Sequence, residues 1–208
     1  MSAFITILLL VSVFLISCGS YEPYVKYKYN YAPAYTWGYA EFYGDYYKSY
    51  NNTNNVISLS LFSDSLFINS DNELDGTGQY LFIEDLFVEP SDTMLPAGKY
   101  TVSASGEAFS FYRGEKFDVD DVSYTIGAYI YYVEKNSAFS TVKLIDRGSF
   151  TVSNNGEKQK IECDFVLSDS TVLKGSFNAV LPHMDGMYVE STDRAPRKKL
   201  SLKNPVRL

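Results

Sequence analysis

Residues 148–167, Gly-Ser-Phe-Thr-Val-Ser-Asn-Asn-Gly-Glu-Lys-Gln-Lys-Ile-Glu-Cys-Asp-Phe-Val-Leu, decide the fold class. Phe150 and Val152 alternate with Thr151 and Ser153. After the turn Ile161, Cys163, Phe165 and Leu167 alternate with polar residues. Side chains two apart share one face of a strand, so both runs read as half-buried strands. Asn155-Gly156 between them favours a tight turn with positive φ, which makes the stretch a β-hairpin. Cys163 lies on the apolar face and reads as a small core residue, not as a nucleophile or a ligand.

The same period runs outward in both directions. Residues 35–48 predict a long first strand with glycine kinks, closed by an Asn-rich loop at 51–55. Ile57, Leu59 and Leu61 alternate with Ser58 and Ser60. Asp, Asn and Gly mark 69–78 as a loop. Residues 79–89 are apolar on both faces, which predicts a central strand. Pro90 to Pro96 form a connection, and alternation resumes at Tyr100, Val102 and Ala104. Further strands are expected near 108–113, 122–133, 141–153, 158–168 and 171–181, with a second tight turn at Asp169-Ser170. No window sustains the i, i+3, i+4, i+7 pattern of a helix. Regularly spaced strands predict an all-β domain, an antiparallel barrel or a two-sheet sandwich of about eight to ten strands. Ala40 to Asp45 and Gly175 to Val180 share a cadence, which suggests neighbours that close the sheet.

Composition agrees. A hydrophobic content of 46% with 21% charged residues describes a folded domain. The 19 Tyr and 14 Phe favour strands. A net charge of −7 without a basic stripe argues against nucleic acid as a partner. One histidine and two cysteines cannot assemble the usual zinc site. His183, in Leu181-Pro182-His183-Met184-Asp185, reads as a loop residue. Asp71, Asn72, Glu73 and Asp75 read as a turn, because their spacing matches no EF-hand loop. Glu84 with Asp85, or Asp118 with Asp120 and Asp121, are the carboxylates that would have to flank a glycosidic bond in a hydrolase. No cofactor or metal is expected, and the domain reads as non-catalytic.

The N-terminus carries the address. An apolar run from Ala3 to Ile16 ends in Leu15-Ile16-Ser17-Cys18-Gly19-Ser20. It has signal-peptide length and falls short of the roughly 18 residues of a spanning helix. A branched apolar residue three before a cysteine, with small residues around it, is a bacterial lipobox. Residues 1–17 are then a signal peptide, Cys18 the lipidated residue, 18–34 a tether, 35–184 the β domain, and 185–208 a basic tail. The tail gathers Arg194, Arg197, Lys198, Lys199, Lys203 and Arg207. It reads as a solvated end, or as a patch that helps hold a membrane surface.

The aromatic strip of the first strand is the candidate binding feature. Trp37, Tyr39 and Tyr43 share one face, with Tyr46, Tyr47 and Tyr50 following. Exposed, such rings stack on sugars or grip apolar ligands; buried, they are core.

The lipobox, Ala-Glu-Phe-Tyr-Gly-Asp (40–45), Leu-Pro-Ala-Gly-Lys-Tyr-Thr (95–101) and the Gly148 to Gly156 run together resemble small all-β surface lipoproteins of anaerobic Gram-negative gut bacteria. Some of these are described as calycin-like barrels, and most have no assigned function. The likeness covers most of 35–181. It implies an envelope location, outer membrane rather than inner, and O-glycosylation at Asp64-Ser65-Leu66, Asp92-Thr93-Met94 and Asp169-Ser170-Thr171. Gly19-Ser20-Tyr21-Glu22 lacks the acidic run that accompanies surface export in that group. The functional expectation is a lipid-anchored protein that meets the membrane through acyl chains and binds a glycan or small apolar ligand. The alternative is an assembly component that pairs with another envelope protein.

Overall fold

The computed structural model describes residues 29–63, 65–71, 73–119, 122–135, 141–186 and 201–202. Cys18 with its signal peptide, the tether up to 28, Asp64, Asn72, Asp120, Asp121 and nearly all of the basic tail lie outside the described residues.

The protein is all-β. Its strands are β1 (Ala34–Gly44), β2 (Asn55–Ser63), β3 (Leu66–Ile68), β4 (Glu73–Gly76), β5 (Gly78–Val88), β6 (Gly98–Val102), β7 (Ser110–Phe111), β8 (Glu115–Val119) and β9 (Val122–Ile126). They continue as β10 (Ala128–Val133), β11 (Thr141–Asn155), β12 (Lys158–Leu167), β13 (Val172–Leu173), β14 (Ser176–Ala179), β15 (His183–Asp185) and β16 (Ser201–Leu202). A 3-10 turn, Lys48–Tyr50, follows β1.

The main sheet closes on itself. Its ring of pairings runs β1–β2–β5–β10–β11–β12–β14 and back to β1. β10 reaches only the Gly78 to Ile83 half of β5; β7 and β6 bridge from the other half to β11. The result is a barrel. The strands that carry the shared cadence, β1 and β14, are neighbours at its seam and run parallel, but they pair through Ala34 beside Ser176 and Tyr35 beside Phe177, while Ala40 to Phe42 lie against β15 instead. Pro182 lacks an N–H and interrupts the ladder there. β15 then resumes it, Ala40 opposite His183.

The quoted hairpin is β11–β12, with Phe150 opposite Cys163 and Val152 opposite Ile161. Its two-residue turn is Gly156-Glu157, and only the glycine takes positive φ, 64°. β11 bends at Gly148, whose φ is +122° and where a Cβ would meet the Asp164 carbonyl oxygen at 2.3 Å. A register shift sits beside it, the mark of a β-bulge.

Side chains fill the barrel. Tyr100 stacks on Phe150 with centroids 4.8 Å apart, Phe111 lies 5.5 Å from Phe150, and Phe165 lies 5.9 Å from Phe111. Leu59, Leu61, Leu81, Ile83, Ile130, Ile145 and Phe177 pack around them. Truncating such a ring to alanine costs about 3–5 kcal/mol.

Both ends are plugged. At one end Tyr29 donates to Thr141 Oγ1, and Lys143 Nζ donates to Tyr31 Oη and to Asp169. At the other, the β5–β6 loop folds inward on Leu95. The Leu95 N–H donates to His183 Nε2 at 3.0 Å, and Gln159 Nε2 donates to the Leu95 carbonyl at 3.1 Å. His183 is therefore part of a strand and a loop clamp, not a free loop residue.

Three expected elements differ. The first strand ends at Gly44, whose φ of 61° turns the chain into the 3-10 segment instead of kinking a longer strand. The 69–78 loop is mostly the β3–β4 hairpin, whose tip is tied by Asn69 Oδ1 accepting from the N–H groups of Asp71 and Glu73. The run 122–133 breaks at Gly127 into β9, which pairs only with β8, and β10, which belongs to the barrel.

Candidate binding site

The outer faces of β1, β2, β5 and β10 carry a second aromatic layer. The register sets it in rows. Trp37 faces Phe62, Phe62 faces Tyr80, and Tyr80 faces Tyr131. Trp37 stacks on Phe62 at 4.0 Å and 11°, and Phe62 on Tyr80 at 5.3 Å. The β3–β4 hairpin covers this row with Leu66 and Leu74, and Trp37 Nε1 donates to the Leu66 carbonyl at 2.7 Å. Trp37 is thus committed to packing.

The next row is open. Tyr39 faces Ser60, Ser60 faces Phe82, and Phe82 faces Tyr129. Tyr39 and Phe82 are half-buried, and Ser60 and Ser58 beneath them are only 1% and 2% exposed. The rings cover the small serines of this row. Glu41 lies beside it on β1, its Oε2 accepting from Tyr43 Oη at 3.1 Å and from Ser58 Oγ at 3.3 Å. On β5, Glu84 Oε2 accepts from the Gly127 N–H at 2.9 Å. Burial pushes the Tyr39 and Tyr129 phenols well up; Ser60 opposes this at Tyr39, as Tyr80 does at Tyr129. Both hydroxyls stay protonated at any ordinary pH.

Tyr129 is paired with Leu144, and there the row meets a cleft of about 370 Å³. Arg113, Lys116, Asp146 and Ser168 line it at the base of the β8–β9 hairpin. Arg113 Nε is ion-paired to Glu115 at 2.9 Å on its rim.

Trp37, Tyr39 and Tyr43 therefore share the outer wall, with Glu41 between them. The tyrosines that follow part company. Tyr47 turns inward, donating to Asp85 Oδ2 at 2.8 Å and packing on Phe87 and Tyr112. Tyr46 and Tyr50 stay exposed, at 53% and 79%. Of the expected carboxylates, Asp85 is buried against Tyr47, Glu84 holds the Gly127 backbone, and Asp118 accepts from Ser123 Oγ. Among the described residues no cluster of three metal-ligating side chains occurs. Cys163 is in the barrel interior, where burial pushes its thiol far up.

The strip reading missed Phe82, Tyr129 and Glu84. Their signal was present: a strand apolar on both faces in a one-layer barrel needs something against its outer side.

Compared with protein-family models, with curated proteins and with solved structures, the chain matches none. Among the described residues no helix is long and apolar enough to cross a membrane.

Proposed function

We propose that this protein is lipid-anchored through Cys18 in the cell envelope, at the outer membrane, and that its barrel binds a glycan on its outer wall without cleaving it. One observation carries the reading: Tyr39 and Phe82 remain partly exposed on the outer wall, over the buried Ser58 and Ser60, while the interior is packed with side chains. Sugar rings present an apolar C–H face that stacks on aromatic rings, and a polar rim that suits carboxylates and hydroxyls. Glu41 and the Tyr43 hydroxyl supply that rim. The filled interior favours a surface site over an internal calycin-type pocket for an apolar ligand.

The anchor rests on the lipobox and on the resemblance to gut-bacterial surface lipoproteins. Cys18→Ala should abolish acylation and release the protein from the membrane fraction. Persistence there at unprocessed mass would argue for a retained helix. For the site, affinity electrophoresis of the soluble domain in gels containing neutral polysaccharides should show retardation that Tyr39→Ala removes.

A second reading, an assembly component, draws on β8–β9. Among the described residues this ribbon pairs only with itself, and its stacked Phe117 and Tyr124 are each 43% exposed. Isolated two-stranded ribbons are marginal, and open edges pair readily. A photo-crosslinker at position 117 should yield one discrete adduct in intact cells; no adduct would remove this reading.

A further inference from the structure

The loop between β1 and β2 holds two exposed rings on a braced frame. Its turn is stitched by backbone bonds from Tyr46 to Gly44, Lys48 to Asp45, Tyr50 to Tyr47 and Asn51 to Lys48. Asn52 Nδ2 and Asn54 Nδ2 both donate to the Gly106 carbonyl at 2.9 Å, tying the loop to the β6–β7 connection. Tyr47 is the peg: its hydroxyl reaches the buried Asp85, and its ring packs on Phe87 and Tyr112. Tyr46 lies edge-on to Tyr47 at 5.0 Å, and Tyr50 lies 6.3 Å from it on a tilt. The frame fixes two rings in water at 53% and 79% exposure. Beside them sit the Asp45–Lys48 ion pair, at 2.8 Å, and Asn51.

We infer that Tyr46 and Tyr50 form an outer platform for a polysaccharide, a second contact for the chain seated on the Tyr39 and Phe82 rings. The chemistry points to a sugar, because the exposed rings sit beside polar groups, the Asp45–Lys48 ion pair and Asn51. A braced loop also loses little conformational freedom on binding. The register supports continuity: Tyr39 and Tyr43 follow one face of β1 toward this loop, with about 3.3 Å of rise per residue. A chain lying along that face passes the loop at its end. Two weak contacts on one ligand multiply, so the platform acts on long chains and not on short ones. This inference rests on the glycan reading above.

The test compares lengths. Disaccharides and hexasaccharides of the cello-, xylo-, malto- and chito- series are titrated by native mass spectrometry against wild type, Tyr46→Ala/Tyr50→Ala and Tyr39→Ala. The double variant should lose roughly tenfold or more in hexasaccharide affinity and nothing for the disaccharide. Tyr39→Ala should lose both. If hexasaccharide binding survives the double substitution unchanged, the platform is overturned and the Tyr39 site stands. If wild type binds no member of the panel, both fall. Tyr50→Ala alone, at the most exposed ring, repeats the comparison should the double variant not fold.

Discussion

The two aromatic layers of the barrel, one inside and one outside, use the same kinds of residue on different strands, yet they end differently. Inside, Tyr100, Phe111, Phe150 and Phe165 meet one another and are fully buried. Outside, Trp37, Phe62, Tyr80 and Tyr131 are roofed by the β3–β4 hairpin, and the roof stops one row short of Tyr39 and Phe82. The inner wall satisfies itself. The outer wall is covered over one row and leaves Tyr39 and Phe82 partly exposed in the next. An aromatic row half open to water, rimmed by Glu41 and Glu84, is where a ligand completes the packing that the chain leaves undone.

That contrast can be strained from both sides. Phe150→Ala should have the largest effect, a loss of about 3–5 kcal/mol in urea unfolding with no selective effect on binding. Leu66→Ala removes the roof of the covered row. It should cost about 2–3 kcal/mol, and the fluorescence of Trp37, the only tryptophan, should shift red as its ring meets water. Tyr39→Ala should cost about 1 kcal/mol or less of stability, because its ring is already partly in water, while abolishing glycan retardation. A larger stability loss at Tyr39 than at Leu66 would erase the distinction between roofed and open rows.

The smallest effect concerns the plug. His183 accepts the Leu95 N–H, so the fold requires its neutral form. Burial lowers its pKa below 6.5, and the Leu181 backbone opposes that shift. The unfolded chain therefore takes up the proton first as pH falls. The clamp's contribution is complete above about pH 6.5 and is lost below it. The protection of the Leu95 amide, its exchange measured against the intrinsic rate, should fall between neutral pH and pH 5 in wild type. In His183→Gln, where an amide oxygen can accept the same bond, exchange should show only its intrinsic pH dependence.

Much of this was legible in the sequence. Alternation alone gave the β11–β12 hairpin and the inward faces of β2 and β12, and a shared cadence marked β1 and β14 as neighbours, though not the residues through which they pair. Alternation carries no strand direction, so the parallel seam was not visible. The break at Gly127 was hidden because residues 122–126 and 128–133 both look like strand. What separates them is the close approach of Arg113, where a Cβ at 127 would meet a carbonyl oxygen at 2.0 Å. The strip at Trp37, Tyr39 and Tyr43 was visible as one face. Its division into packed and open rings was not, because that depends on a roof formed by residues that read as an Asn- and Asp-rich loop. The neighbours from β5 and β10 are long-range partners, and only the doubly apolar run at 79–89 hinted at them.

The most direct measurement of the central claim is affinity electrophoresis of the soluble domain with its Tyr39→Ala partner across a panel of neutral polysaccharides, with Trp37 fluorescence as the check on folding. The account predicts that at least one polysaccharide retards wild type, that Tyr39→Ala migrates as in a sugar-free gel, and that both proteins share one emission spectrum. Equal retardation of the two proteins, or none for wild type across the panel, would contradict it.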